Sequence, residues 1–229
     1  MRYKRANIDS LVLSDAHIEA IFICNEDYSI QTVKSKSIFE PRVWSKTFGR
    51  KLKKNIIEAK VIHTHLGLCL PLKTFAVTPL NQSLELAGLH GYNERSQHLV
   101  NTLKALESQL QYARIRRIDV CLDYEGKIPM NILKALSKNR EAFRYGNTTY
   151  YKTEKESKTN QRIDIKVYNK SHQAKLDGKL MRLEFCFKGS YFDKLNMIDL
   201  DLAIKKMEKS IKRLAGITVK VSPIIDLKK

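Results

Sequence analysis

The chain of 229 residues has few of the residues that break or cross-link a fold. It contains 9 glycines, 5 prolines, 4 cysteines and a single tryptophan, Trp44, which could be a core anchor or a base-stacking platform. The cysteines are far apart in sequence and form no C-x-x-C pair, which argues against a disulfide framework. We therefore expect reduced thiols, buried in strands of a cytoplasmic protein.

Long apolar runs are also missing. The run at 17–24 is interrupted by His17 and Glu19, and the run at 66–72 is too short to cross a bilayer. The basic N-terminal residues are not followed by the apolar stretch that an export signal needs. The sequence thus predicts neither export nor insertion into a membrane.

Positive charge, by contrast, is in large excess. Lysine and arginine number 42 against 24 aspartates and glutamates, a net charge of +18, and 43% of the residues are hydrophobic, enough to build a core. Such an excess favours a polyanionic partner, because neutralising phosphates supplies most of the non-specific affinity for nucleic acids. An anionic membrane surface would attract the same charge, so composition indicates a class of partner only.

The pattern of apolar residues predicts an α+β fold of one domain spanning 1–229. Alternating apolar and polar residues indicate strands, and leucines or isoleucines at helical spacing indicate helices. The predicted strands are 17–24 and 29–38 as a hairpin, 56–70, 83–91, 114–124, 162–168 and 181–188. The predicted helices are 94–112, capped by Asn93, then 129–138, and a basic helix over 199–215 that ends at Gly216.

These elements favour an antiparallel sheet of five to seven strands with helices packed on one face. The other face would stay open and polar. Residues 146–161 are polar, and after Tyr151 they show no periodicity, so we expect a mobile loop there.

Carboxylates occur on the polar side of three of the predicted strands: Asp119 or Asp123, Asp164, and Glu184. Asp119 and Asp123 are about 13 Å apart at roughly 3.3 Å per residue, so one ion can bind only one of them, and we favour Asp119. Such oxygens suit Mg²⁺ or Mn²⁺. Tyr168 shares this face, and a phenol near a metal and cations is what tyrosine-mediated phosphodiester cleavage requires. The same residues could instead form exposed ion pairs.

Three ordered motifs resemble those of the Rep_trans type of rolling-circle replication initiators. The motifs are R-x-D-x-x-x-D at 117–123, (I/L/V)-Y-(D/N)-K at 167–170 and R-x-E-x-x-x-K at 182–188. The segments GLHGYN (88–93) and YGNTTYY (145–151) are also similar to that family. The resemblance covers residues 80–190, about half the chain, and Gln173 departs from it because an acidic residue often stands there.

The resemblance implies an enzyme that nicks and rejoins DNA. In that family a tyrosine attacks the origin strand, forms a 5′-phosphotyrosine link and frees a 3′-OH, with a divalent metal held by acidic residues. Carried onto this chain, the catalytic residues are Tyr168 and Lys170, and the ligands of Mg²⁺ or Mn²⁺ are Asp119, Glu184 and Asp164. The nucleic-acid contacts are Lys166, Arg182, Lys188 and Arg117. The implied partner is single-stranded or extruded origin DNA, with a homodimer and a host helicase as further candidates.

Three alternatives remain open. His63-Thr64-His65 with Tyr191-Phe192-Asp193-Lys194 is similar in order to the elements of HUH-type nickases, although Thr64 stands where a bulky apolar residue is normal. A non-catalytic DNA-binding regulator with the same fold would use the charge without the chemistry. A basic protein of a phage particle or a ribonucleoprotein would prefer RNA.

Overall fold

The computed structural model describes residues 4–15, 28–36, 56–63, 68–75, 83–105, 107–138, 140–152 and 161–224. The strands are β1 (Lys4–Ser14), β2 (Tyr28–Lys36), β3 (Ile56–His63), β4 (Leu68–Phe75), β5 (Ser83–Ala87), β6 (Arg114–Glu125), β7 (Glu141–Tyr145), β8 (Thr148–Lys152), β9 (Gln161–Asn169), β10 (Leu180–Gly189) and β11 (Val219–Ser222). The helices are α1 (Glu94–Ala105), α2 (Glu107–Leu110), α3 (Met130–Ser137), α4 (Lys170–Ala174) and α5 (Leu200–Ala215), with 3₁₀ turns at Ser190–Phe192 and Met197–Asp199.

All of the described strands belong to one sheet. Its order is β2-β3-β4-β5-β1-β6-β10-β9-β8-β7, with every neighbouring pair antiparallel, and β11 pairs with β1 in parallel. The predicted α+β class with an antiparallel sheet is therefore confirmed. The sheet is wider than the five to seven strands expected, because the N-terminal segment, residues 141–152 and residues 219–222 also form strands, and because β3 and β4 occupy the place of the single strand predicted at 56–70.

The core lies between one face of this sheet and the helices. Leu11, Ile118 and Phe185 face it from β1, β6 and β10, and Leu103 of α1 and Met207 of α5 pack into the same cluster. All five are completely buried. The helices thus cover one face, which leaves the opposite face for polar side chains.

The predicted helix ends are largely confirmed. The side chain of Asn93 accepts a hydrogen bond from the amide of Ser96, so it caps α1 as expected. Helix α5 ends at Gly216, whose φ of 69° is the left-handed conformation that glycine adopts at low cost. Within the described residues the predicted helix 94–112 consists of two pieces, α1 and α2.

Residues 148–152 form β8 instead of the start of a mobile loop. Thr and Tyr favour strands, and Tyr151, which pairs with Ile165 of β9, is only 5% exposed. Burial of this ring on the core side explains why a segment without clear periodicity is ordered. Residues 153–160, the predicted strand at 17–24, and Trp44 lie outside the described residues.

Among the described helices, none is long and apolar enough to cross a membrane.

Candidate active site

The register of four neighbouring strands aligns the polar side chains in rows across the open face. Residues directly opposite each other in an antiparallel pair lie on the same face, with about 4.5–5.5 Å between their Cβ atoms. One row consists of Asp123, Arg182, Tyr168 and Thr148, and the next of Cys121, Glu184, Lys166 and Tyr150. A third row contains Asp119, Cys186 and Asp164. The predicted tyrosine and carboxylates therefore do share one face of the sheet.

Arg182 lies at the centre of this face and is completely buried. Its Nη1 donates to Asp9 Oδ1 (2.8 Å), its Nε and Nη2 donate to the two oxygens of Asp123 (2.7 and 2.8 Å), and Nη2 also donates to the carbonyl of His90 (3.0 Å). Burial disfavours the charge, but the hydrogen bonds to Asp123 and the nearby carboxylates hold the pKa of Arg182 above its ordinary value. Arg182 was predicted to contact phosphate, but all of these hydrogen bonds from its guanidinium go to groups of the protein itself.

Asp9 reaches Arg182 because of a bulge in β1. The register with β6 shifts between Ile8 and Ser10, so Asp9 is an extra residue on this strand. A bulge of this kind re-aims a side chain, and it turns Asp9 toward the polar face. Its carbonyl also accepts hydrogen bonds from the amides of Gly88 and Leu89, which ties the loop before α1 to β1.

That loop, residues 88–93, places two further side chains at Asp123. Tyr92 donates its phenol proton to Asp123 Oδ2 (2.6 Å), and His90 Nε2 lies 3.5 Å from the same oxygen. Tyr92 has a φ of 58°, an uncommon conformation for a residue with a side chain and one often found at functional sites. Gly91 is required beside it, because a Cβ there would meet Ser96 Oγ at 2.2 Å.

Tyr168 is hydrogen-bonded to a carboxylate that is itself held in place. Its hydroxyl donates to Glu184 Oε2 (2.9 Å), and Glu184 Oε1 accepts from Lys166 Nζ (2.7 Å). Glu184 is only 5% exposed, whereas Tyr168 lines a cavity of 210 Å³ together with Thr148, Tyr150 and Gln173. Burial, followed by the charge of Glu184, raises the pKa of Tyr168 well above its ordinary value. The phenol is thus protonated at neutral pH and has a proton acceptor in contact.

The other two carboxylates predicted as metal ligands, Asp119 and Asp164, form ion pairs with residues that were predicted to contact phosphate. Asp119, 1% exposed, accepts two hydrogen bonds from the guanidinium of Arg117. Asp164 accepts from Lys188, and these two side chains are each about one-third exposed. The Arg117–Asp119 pair lies within one strand, as the ion-pair alternative from the sequence allowed, whereas the Lys188–Asp164 pair depends on the register of β9 and β10.

Lys170 is also buried, with 6% exposure, at the start of α4. Its Nζ donates to Gln173 Oε1 at 3.1 Å. Burial, and then the charge of Arg182, lower the pKa of Lys170. An amine in this environment gives up a proton more readily than an exposed lysine does.

One group of side chains in the described residues is close enough to share a metal ion: His90, Cys121 and Asp123, whose ligand atoms lie within 4.8 Å of one another. Asp119, Glu184 and Asp164 do not form such a group. Burial raises the pKa of the Cys121 thiol, so an ion bound there would have to displace its proton. His90 and Asp123 supply a nitrogen and an oxygen donor, and an imidazole nitrogen favours a transition metal over Mg²⁺.

The comparisons with known proteins find a similar fold. No protein-family model and no curated protein matches the chain. Among solved structures, it is similar to a rolling circle replication initiator protein from Geobacillus stearothermophilus, with 14% identity and a TM-score of 0.49 over 90% of this chain and 79% of that one.

The HUH-type alternative depends on residues in other places. Tyr191 is 3% exposed in the core, where its hydroxyl is hydrogen-bonded to Ser210 Oγ at 2.9 Å. His63 is in β3, and His65 lies outside the described residues. A buried phenol on the core side is not accessible to a DNA strand, so the geometry favours Tyr168.

We predict that the variant Asp123→Asn is less stable than the wild type by about 3–5 kcal/mol at pH 7, because it leaves the buried Arg182 with one partner fewer. Burial alone would raise the pKa of Asp123, but hydrogen bonds from Arg182, His90 and Tyr92 outweigh it and hold the pKa well below 3.8. A depressed pKa stabilises the fold above pH 3.8, and this contribution is lost as the pH falls below that value. The difference in the free energy of unfolding between variant and wild type should therefore shrink in acid, as measured by urea unfolding between pH 7 and pH 2.5.

The control is Asp193→Asn, at an exposed position, which should change the free energy of unfolding by less than about 0.5 kcal/mol. A similar loss of stability in both variants would contradict the role of Asp123.

Proposed function

We propose that this protein nicks and rejoins a DNA strand through Tyr168. The observation that supports this most directly is the chain of contacts from Lys166 to Glu184 to the Tyr168 hydroxyl at the wall of an open cavity. It has the parts of an activated nucleophile: an attacking oxygen, a base that accepts its proton, and a group that orients the base. The order of the three sequence motifs and the net charge of +18 support DNA as the substrate.

In the proposed reaction the phenol oxygen of Tyr168 attacks the phosphorus of a phosphodiester while its proton passes to Glu184 Oε2. A bond forms between the phenol oxygen and phosphorus, and the bond from phosphorus to the 3′ oxygen breaks. Lys170 supplies the proton for the departing 3′ oxygen, a role that its lowered pKa suits. The products are a 5′-phosphotyrosine link and a free 3′-OH, and rejoining is the reverse.

A divalent ion is a further part of the proposal. When bound, such an ion would neutralise charge on the phosphate during the displacement. Two donor sets are distinguishable: His90 with Asp123, which the geometry favours, and Asp119, Glu184 and Asp164, which the motif resemblance implies. In both sets, Asp123 included, each carboxylate already has a lysine or arginine partner.

We expect Tyr168→Phe to abolish the covalent protein–DNA adduct, because the attacking oxygen is missing. The assay is incubation with labelled single-stranded DNA of random sequence and Mn²⁺, followed by denaturing electrophoresis. Tyr150→Phe is the matched control, since Tyr150 lines the same cavity, and it should keep the adduct. An adduct of normal yield in Tyr168→Phe would exclude Tyr168 as the nucleophile.

Glu184→Gln should slow adduct formation by roughly 10²–10⁴-fold, the usual contribution of a positioned general base. The glutamine keeps the size of the side chain but accepts a proton poorly, so DNA affinity measured by anisotropy should stay close to that of the wild type. Single-turnover rates across pH 6–9 provide the test. A variant that reacts as fast as the wild type would show that the proton goes elsewhere.

His90→Ala should weaken binding of Mn²⁺, measured by electron paramagnetic resonance, by at least about 10-fold, because losing a ligand should cost no less than losing the partner of a ligand. Asp119→Asn is the control and should bind Mn²⁺ normally. The opposite result would assign the ion to the carboxylates of the motif resemblance. Because His90 also contacts Asp123 and Tyr92, thermal unfolding of His90→Ala is measured alongside to check that the variant is folded.

A non-catalytic DNA-binding role is the second candidate. It is favoured by one observation, that Asp119, Glu184 and Asp164 are each neutralised by a protein cation. It predicts DNA affinity that falls with salt and no adduct under any metal condition.

A further inference from the structure

The hairpin of β7 and β8 lies at the edge of the sheet, beside Tyr168. Its register places Tyr145 opposite Thr148, which is opposite Tyr168, and Phe143 opposite Tyr150, which is opposite Lys166. Opposite residues share a face, so these aromatic rings are on the same face as the proposed nucleophile. Two strand spacings of about 4.8 Å separate Tyr145 from Tyr168, roughly 10 Å in all.

The rings of this hairpin are not part of the core. All five residues of β7 are exposed, and Tyr145 is 76% exposed. Phe143 is stacked on Tyr150 with ring centroids 5.1 Å apart and planes at 19°, and Lys152 Nζ lies 4.4 Å from the Phe143 ring. The hairpin therefore presents one exposed ring, that of Tyr145, beside the stacked Phe143–Tyr150 pair and the ammonium group of Lys152.

The turn between the strands holds Tyr145 at the end of β7. Gly146 has a φ of 55°, which suits the first central position of a two-residue hairpin turn. Arg144 Nε donates to the carbonyl of Gly146 at 3.1 Å and tightens this turn. The ring of Tyr145 is thus exposed on a short, well-defined element.

We propose that Tyr145 is a stacking platform for an unpaired nucleobase next to the phosphate at Tyr168, with the Phe143–Tyr150 pair as its wall. Sites for single-stranded DNA combine exposed aromatic rings with cations along the backbone, and Lys152 supplies a cation here. An unpaired base is required because the faces of paired bases are covered in a duplex. The claim that the stacked base lies next to the cleaved phosphate rests on the proposed function of Tyr168. The claim that a base stacks on Tyr145 does not.

The test compares two 12-nucleotide probes, oligothymidylate and an abasic strand with the same number of phosphates, each labelled with fluorescein. Binding by the full chain is followed by anisotropy in a Tyr168→Phe background, which removes any cleavage. Tyr145→Ala should bind oligothymidylate roughly 5- to 100-fold more weakly and the abasic strand normally, since only the base contact is lost. Tyr145→Phe keeps the ring and should bind both probes like its parent.

Tyr112→Ala is the matched control, because Tyr112 is 71% exposed and lies after α2. It should leave both affinities unchanged. The proposal is overturned if Tyr145→Ala binds oligothymidylate normally, or if it weakens both probes equally. It is also overturned if light scattering shows a dimer that Tyr145→Ala dissociates, since the ring would then contact a second copy through the β7 edge. If the chain with Tyr168 intact nicks DNA normally but Tyr145→Ala does not change binding, the stacking platform is refuted and the proposed reaction is not. If binding depends on the base but no adduct forms, the proposed reaction is refuted and the platform is not.

Discussion

A buried positive charge has to be matched by negative charge and hydrogen bonds, and in this protein the buried charge is the guanidinium of Arg182. It joins β10 to β1 through Asp9, to β6 through Asp123, and to the loop before α1 through the carbonyl of His90. Backbone pairing already sets the order of these strands, and Arg182 adds side-chain contacts that link all three and the loop on the polar face. The arrangement of polar groups around the proposed site therefore depends on this one side chain.

The polar face as a whole is close to neutral where the chemistry is proposed. Asp119, Glu184 and Asp164 each have a lysine or arginine partner, so the acidic groups do not repel an approaching phosphate as an unpaired cluster would. The attraction for DNA comes from the remaining excess of 18 positive charges. The residues that attract DNA at long range are thus different from those proposed to carry out the reaction. Tyr168 lies in a pocket where its proton acceptor, Glu184, is held in place by Lys166.

Much of this site follows from the sequence because strands have a period of two. The alternation in 114–124, 162–168 and 181–188 is enough to place Asp119, Tyr168 and Glu184 on one face, and the three segments are adjacent in the sheet. Helix ends were predictable for a similar local reason, since Asn93 and Gly216 act on their own helices. Local patterns of this kind need no knowledge of the rest of the fold.

The remaining residues could not be predicted in the same way. Asp9 faces Arg182 through a bulge, and neither the bulge nor the central position of β1 follows from a segment that begins with basic residues. His90 and Tyr92 belong to a loop, and only the glycines around them marked the segment as unusual. Which lysine meets Glu184 or Asp164 depends on register, and several registers would keep the same alternation.

The pairing of β1 with β11 has a consequence for how the molecule is made. Arg5 Nε donates to Ser222 Oγ across 217 residues of sequence, and β1 lies in the middle of the sheet. The part of β1 that pairs with β11, residues 4–7, stays uncovered until residues 219–222 have been added to the sheet. Contacts so distant in sequence slow the search for the native state, and an uncovered strand edge invites association with other chains. The folding chain is therefore most open to association with other chains before β11 pairs with β1.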